Sequence, residues 1–208
     1  MTFRTRIKIC GLTRQEDVAE AVAAGADALG FVFYPPSPRY VDPDRAARLM
    51  AAVPPFVTIV GLFVNADPAF VEGALERLPI QLLQFHGDEG EADCARFGWP
   101  YIKAARVRPG LDLLNYAASF PSASGLLLDA FVEGYGGAGR VFDWGLIPQG
   151  LSRPVILSGG LDPDNVESAV RRVRPWAVDV SSGVERAKGI KDAAKVRAFI
   201  AGVRHADG

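Results

Sequence analysis

Residues 155–185 read VILSGGLDPDNVESAVRRVRPWAVDVSSGVE and contain one complete structural unit and the start of the next. A short aliphatic run at 155–158 breaks at Gly159-Gly160. Asp162-Pro163 then opens an amphipathic stretch, and a second run at 177–181 again breaks at a glycine, Gly183. Aspartate before proline suits a helix start, because the carboxylate accepts from the free N–H groups of a first turn and proline has no N–H to leave unpaired. Strand, glycine turn, helix and strand together make a βα repeat, the pattern of a parallel sheet with helical crossovers.

The same unit recurs toward the N-terminus. β-Branched and aliphatic runs at 7–10, 28–33, 58–64, 82–86, 101–106 and 125–129 bring the number of strands to eight. Thr13 with Glu16 reads as a capping box, Asp42-Pro43 and Asp67-Pro68 as capped proline starts, and Gly25 and Gly98 as helix ends that need positive φ. Gly145, Pro148 and Gly150 leave room only for a short helical turn after Asp143. Eight strands, each followed by a helical segment, predict an α/β fold: a single-domain (β/α)8 TIM barrel over residues 1–208, with eight parallel strands, short loops and a degenerate sixth helix. An open doubly wound sheet of five or six strands is the alternative. The first βα junction, Cys10-Gly11-Leu12-Thr13, lacks the glycine pattern of a dinucleotide site, so neither a nicotinamide nor a flavin is expected.

A chain of 208 residues with 49% apolar composition buries a sizeable core without disulfides or a structural metal. Its net charge of -1 offers no basic face to a polyphosphate backbone, which argues against a nucleic-acid partner. The longest apolar stretch, 56–64, includes Thr58 and Gly61 and is far shorter than the roughly 20 residues that span a bilayer. Strand-like alternation follows Arg4, Arg6 and Lys8 at once, so no export signal is read there. Two cysteines, Cys10 and Cys94, make neither a disulfide framework nor a zinc site, and a reducing cytoplasm fits them. Glycine turns at 159–160 and 183, each directly after a strand, suit an anionic phosphate, so the expected partner is a phosphorylated small molecule, handled by a monomer or homodimer without cofactor or metal. His86 and His205 are the only imidazoles.

In a barrel of this kind the chemistry lies at the C-terminal ends of the strands. Cys10 ends the first, Arg39 follows the second, His86 follows the fourth and Asp129 ends the sixth. Ser158-Gly159-Gly160 and Ser181-Ser182-Gly183 follow the last two strands and read as a phosphate cradle, since glycines let backbone N–H groups approach a dianion. Cys94, inside the fourth helix, reads as a buried hydrophobe. Cys10 shares the mouth with Asp129, so a thiolate there could take a proton from carbon while a carboxylic acid gives one to oxygen. Three prolines stiffen Tyr34-Pro35-Pro36-Ser37-Pro38-Arg39-Tyr40, which favours a preorganised bidentate grip of Arg39 on a carboxylate. His86 either bonds substrate or braces the mouth. The glycines at 134, 136, 137 and 139 suit a lid over 132–140.

These motifs, in this order, resemble the phosphoribosylanthranilate isomerases of tryptophan biosynthesis. The likeness runs through Lys8-Ile9-Cys10-Gly11, Gly30-Phe31-Val32-Phe33, Ser37-Pro38-Arg39-Tyr40, Gly61-Leu62-Phe63-Val64-Asn65 and Gln84-Phe85-His86-Gly87. It continues through Leu128-Asp129, Phe142-Asp143-Trp144, Leu157-Ser158-Gly159-Gly160-Leu161 and Asp179-Val180-Ser181-Ser182-Gly183-Val184-Glu185. The resemblance implies a cofactor-free Amadori rearrangement of N-(5-phosphoribosyl)anthranilate to 1-(2-carboxyphenylamino)-1-deoxyribulose 5-phosphate. By the same resemblance Asp129 would protonate the furanose oxygen and Cys10 would deprotonate the adjacent carbon. Arg39 would hold the anthranilate carboxylate, Asp179 would bond a ribose hydroxyl, and Gly137 and Gly139 would join the last two turns at the phosphate.

Two positions depart from the family pattern. Ala138 stands in Gly136-Gly137-Ala138-Gly139 where the family commonly has a hydroxyl residue, and Phe85 stands where it usually has leucine. The second change is expected to alter core packing and leave the chemistry intact. Three rival readings are a related barrel isomerase of histidine biosynthesis, a metal-dependent epimerase or hydrolase, and a barrel that only binds a phosphorylated ligand. Cys10 argues against the first, the scarcity of histidine against the second, and the presence of both proton-transfer residues against the third.

Overall fold

The computed structural model describes residues 4–130 and 142–208. Eight parallel strands close on themselves in chain order: β1 (Arg6–Cys10), β2 (Ala28–Val32), β3 (Thr58–Phe63), β4 (Leu82–Phe85), β5 (Tyr101–Val107), β6 (Gly125–Ala130), β7 (Val155–Leu157) and β8 (Ala177–Val180). The seam between β8 and β1 pairs Arg6 with Ala177 and Lys8 with Asp179. A closed ring excludes the open doubly wound sheet and leaves no sheet edge to protect.

Helices α1 (Gln15–Ala24), α2 (Pro43–Met50), α3 (Pro68–Arg77), α4 (Glu91–Ala95) and α5 (Leu113–Ala118) follow the first five strands. After β6 the described residues hold only a 3-10 turn, Trp144–Leu146, capped by Asp143, as the glycines and proline there require. α6 (Val166–Val173) follows β7, and α7 (Ala193–Asp207) closes the outer ring against α1 and α6. Thr5 bonds Asp207 through both its N–H and its hydroxyl, tying the end of α7 to the entry of β1. No described helix is long and apolar enough to cross a membrane.

Asp42 and Asp67 cap α2 and α3 as read from sequence, and Gly25 ends α1 at φ 95. Two starts differ. Thr13 does not cap α1: its hydroxyl donates to the Gly189 carbonyl, a contact 176 residues away that overrides the local box. Asp162 accepts from the N–H groups of Asp164 and Asn165, so it caps a turn, and α6 begins only at Val166. Between β8 and α7 lies an element absent from the sequence reading, a hairpin of β9 (Glu185–Ala187) and β10 (Ile190–Lys191), turning at Gly189 with φ 75.

Strand alternation divides the side chains into two populations. Outward residues such as Ile7, Ile9, Leu29, Phe31, Leu83 and Val178 join the helices in the main core. Within it Phe63 stacks on Phe33 at 5.1 Å, and Phe85 meets Phe63, Phe97 and Tyr101 at 6.4, 5.9 and 5.8 Å. Phe85 thus belongs to an aromatic layer outside the barrel wall, which confirms it as a packing residue. Alternate positions form a separate inner cluster of Ile102, Ala104, Leu127, Ile156 and Ala177. This apolar plug fills the N-terminal half of the interior. The inward positions nearer the C-terminal ends are polar: Lys8, Gln84, Asp129, Ser158 and Asp179, all buried. Five inward polar groups in one buried layer are costly unless they satisfy one another, and they do so across the barrel axis.

Candidate active site

Lys8 on β1 reaches Gln84 on β4 and Asp179 on β8, donating from Nζ to Gln84 Oε1 and to Asp179 Oδ1, both at 2.8 Å. Ser158 donates to the other Asp179 oxygen at 3.3 Å. From Gln84 the chain continues through Nε2 to His86 Nδ1 at 3.0 Å, and from His86 Nε2 to Asp129 Oδ2 at 3.1 Å. The Ala130 N–H donates to the second Asp129 oxygen at 2.8 Å. One buried hydrogen-bonded chain therefore runs from β8 through β1 and β4 to β6.

Cys10 closes the other end. It lies two residues beyond Lys8 on the same inward face and is buried beside Val32, Leu62 and Val64. Gly30 on the neighbouring strand makes its room: a Cβ there would stand 2.7 Å from the Cys10 sulfur. Burial pushes the Cys10 thiol above its ordinary value; the Lys8 ammonium, and more weakly Lys191, pulls it back without cancelling that rise. For Lys8 itself burial works to lower the value, but the charges of Asp179 and Cys10 outweigh it and hold the ammonium above its usual range. Cys94 is buried in α4 among apolar neighbours and pushed up to about 12 by burial, which fits the inert role read from sequence.

Arg39 is where the structure adds most to the expectation. Its proline loop folds back, with the Val41 N–H bonded to the Val32 carbonyl, and lays the side chain over Gly11, where a Cβ would meet Arg39 Cδ at 2.5 Å. One side of its guanidinium is closed bidentately on the chain's own Glu185: Nε to Oε1 and Nη2 to Oε2, both 2.8 Å. Lys191 Nζ also donates to Glu185, at 2.9 Å, and to the Ser181 carbonyl at 3.0 Å. Burial acts to raise Glu185, yet hydrogen bonds from Arg39 and the Lys191 charge hold its carboxyl below the ordinary value. The unforeseen hairpin thus braces both Arg39 and the turn after β8.

The two glycine turns after β7 and β8 come together. Gly159 and Gly160 take φ 78 and 67 in succession, which only glycine adopts freely, and a Cβ on Gly159 would lie 2.8 Å from Asp129 Oδ1. Gly183 is tighter still: its Cβ would lie 1.9 Å from the Leu161 carbonyl oxygen, so the β8 turn rests directly on the end of the β7 turn. Ser158 is turned inward onto Asp179, and Ser181 lies beside Lys191. Gly137, Gly139, Ala138 and the expected lid at 132–140 lie outside the described residues. Among the described residues no group of His, Cys, Asp and Glu could hold a metal ion.

Compared with known proteins, residues 7–202 match the family model described as N-(5'phosphoribosyl)anthranilate (PRA) isomerase. The chain belongs to this family. An N-(5'-phosphoribosyl)anthranilate isomerase of Dechloromonas aromatica (strain RCB) is 69% identical over 205 residues, covering 99% of each chain. One of Leptothrix cholodnii is 65% identical and covers 98% of this chain and 93% of that one. Among solved structures, phosphoribosyl anthranilate isomerase from Thermotoga maritima aligns with a TM-score of 0.88 at 42% identity, over 97% of this chain and 99% of that one. A second, solved in complex with reduced 1-(o-carboxyphenylamino)-1-deoxyribulose 5-phosphate, aligns with a TM-score of 0.85 at 40% identity, with the same coverage.

Within this isomerase barrel, the sequence reading placed Cys10, Arg39, His86, Asp129 and both glycine turns at the C-terminal ends of the strands, and there they lie; Asp179, which the resemblance supplied, lies within β8. It missed four residues that hold them: Lys8, Gln84, Glu185 and Lys191. A period-2 reading of Arg6-Ile7-Lys8-Ile9-Cys10 and Leu82-Leu83-Gln84-Phe85-His86 would have put Lys8 and Gln84 on the same inward face as the chemistry. The hairpin turn, Lys188-Gly189, has neither asparagine nor aspartate before its glycine, so the local sequence carries no hairpin signal.

Close approach of the two turns makes a sharp expectation. Gly183→Ala drives a methyl into backbone that cannot yield, and should raise the half-saturating concentration of inorganic phosphate, measured by titration, at least about tenfold. Gly73→Ala is the control: it lies in α3 with open space around it and should stabilise the chain by up to about 1 kcal/mol. Unchanged phosphate binding in Gly183→Ala would remove the phosphate from these turns.

Proposed function

We propose that the buried chain from Cys10 to Asp129 performs the Amadori rearrangement of N-(5-phosphoribosyl)anthranilate by paired acid and base catalysis. The observation that carries this reading is that the thiol and the carboxyl, from the first and sixth strands, are joined by Lys8, Gln84 and His86 in one polar layer above an apolar plug. Asp129 gives its proton to the furanose oxygen as the C–O bond breaks, and the anthranilate nitrogen lone pair closes the Schiff base. The Cys10 thiolate then removes the proton from the adjacent sugar carbon, and the electron pair released neutralises the iminium nitrogen to give the enolamine. Tautomerisation of the enolamine yields the aminoketose, so no electrons are exchanged with an external group and no cofactor is called for.

The surroundings suit each end of this substrate. Val32, Leu62, Val64 and Tyr34 make an apolar wall beside Cys10 against which an aromatic ring can pack. Arg39, held by Glu185 through Nε and Nη2, keeps its Nη1 edge for the anthranilate carboxylate. The turns at Ser158-Gly159-Gly160 and Ser181-Ser182-Gly183 take the phosphate, while Asp179 faces a ribose hydroxyl. The setting is cytoplasmic, in a monomer or homodimer.

The direct test is to follow the fluorescence of phosphoribosylanthranilate with the purified protein; a rate no greater than the uncatalysed one would overturn the proposal. Arg39→Ala should raise KM about 10- to 100-fold, the weight of one charge-assisted hydrogen bond, with a smaller effect on kcat. An unchanged KM would take the carboxylate away from Arg39.

A further inference from the structure

The chain Lys8, Gln84, His86, Asp129 contains more information than its distances. A lysine ammonium can only donate, so the arm of Gln84 that faces Lys8 at 2.8 Å must be its carbonyl. The other arm, 3.0 Å from His86 Nδ1, is then the NH2 group, which also only donates. His86 Nδ1 is therefore the bare nitrogen, and the single N–H of the neutral imidazole sits on Nε2, aimed at Asp129 Oδ2. Turning the Gln84 amide over would set its NH2 against the Lys8 ammonium. Gln84 is fully buried, out of contact with the bulk solvent that would relieve two opposed donors.

We infer that Gln84 is a positioning residue for the acid step: it locks His86 in the Nε2–H tautomer, so that an N–H donor meets the carboxylate left when Asp129 gives up its proton. The inference rests on the reading of Asp129 as the acid. The lock itself moves no proton. His86 keeps its hydrogen throughout and lends it as a hydrogen bond to the charge that appears on Asp129 as the ring oxygen is protonated, which is where preorganised donors act most strongly. In the opposite tautomer a bare nitrogen would face that charge. Lys8 is thereby engaged twice, toward the Cys10 side of the site and, through Gln84, toward the Asp129 side.

The chain has two histidines, and His205 is exposed on α7, so nitrogen-15 histidine labelling in a His205→Gln background leaves one ring to observe. The expected spectrum is of a bare Nδ1 and a protonated Nε2. Gln84→Glu, which keeps the shape but places an acceptor opposite Nδ1, should invert that pattern and lower kcat about 10- to 100-fold with KM changed by less than about threefold. Gln84→Met, which neither donates nor accepts strongly, should give a tautomer mixture and an intermediate kcat. A protonated Nδ1 in the otherwise unaltered ring overturns the lock, and that measurement needs no Gln84 variant to fold. Wild-type kcat in both Gln84 variants overturns the positioning role. Should Asp129→Asn keep its activity while the ring still shows Nε2–H, the acid assignment fails, and the purpose of the lock fails with it.

Discussion

Cys10→Ala is expected to lower kcat about 10²- to 10⁴-fold, the range of a positioned general base, while phosphate affinity measured by titration stays within about twofold. The substitution leaves the fold nearly untouched, because the sulfur occupies a pocket that Gly30 holds open and Val32, Leu62 and Val64 line. Thermal denaturation should confirm this with a loss of no more than about 1–2 kcal/mol. The thiol carries a second expectation. Burial disfavours the thiolate, and Lys8 and Lys191 offset only part of that, so ultraviolet thiolate titration should place Cys10 above an ordinary cysteine. A scarce thiolate is also a strong base once formed, which suits proton abstraction from carbon. Lys8→Met removes the nearest positive charge and should move the step to still higher pH. A Cys10 that titrates below the ordinary thiol range, or a Cys10→Ala enzyme with near wild-type kcat, would end its assignment as the base.

The reach of the sequence can be judged from particular residues. Strand positions follow from hydrophobic runs, which are local, and each run read from sequence falls within one residue of the strand observed; 58–64 is Thr58–Phe63 in the structure. Capped proline starts are local too, and those at Asp42 and Asp67 hold. What local pattern could not reveal is long-range competition for the same side chain. Thr13 has the spacing of a cap and is drawn instead to Gly189, and Arg39 has the stiff loop of a ligand clamp and is drawn to Glu185. Both partners lie on the short hairpin after β8, so one missed element accounts for both contacts. Ser158 follows the same logic. It sits in a phosphate-binding turn by sequence, and its hydroxyl is claimed by Asp179. The barrel and the strand ends were legible because each depends on residue type and position alone. The bracing around them depends on which elements meet across the barrel.

Asp129→Asn should also lower kcat about 10²- to 10⁴-fold, but its signature differs from that of Cys10→Ala. The native carboxylate accepts from two fixed donors, the Ala130 N–H on Oδ1 and His86 Nε2 on Oδ2. A carboxamide has one oxygen to share between them. Whichever way it turns, its NH2 opposes either the backbone N–H or the imidazole N–H that Gln84 holds in place, a buried mismatch that costs about 1–3 kcal/mol. The variant should therefore lose stability in urea denaturation as well as activity, and crystals should show His86 or the Ala130 peptide displaced. Asp129→Ala removes the opposed donor and leaves a space beside Gly159, so it should lose activity to the same degree with the two donors facing a cavity that can admit water. If the carboxyl served only to brace these donors, Asn and Ala would retain substantial turnover once folded. Matching losses of kcat in both, at phosphate affinity near that of the parent, are what a proton donor requires.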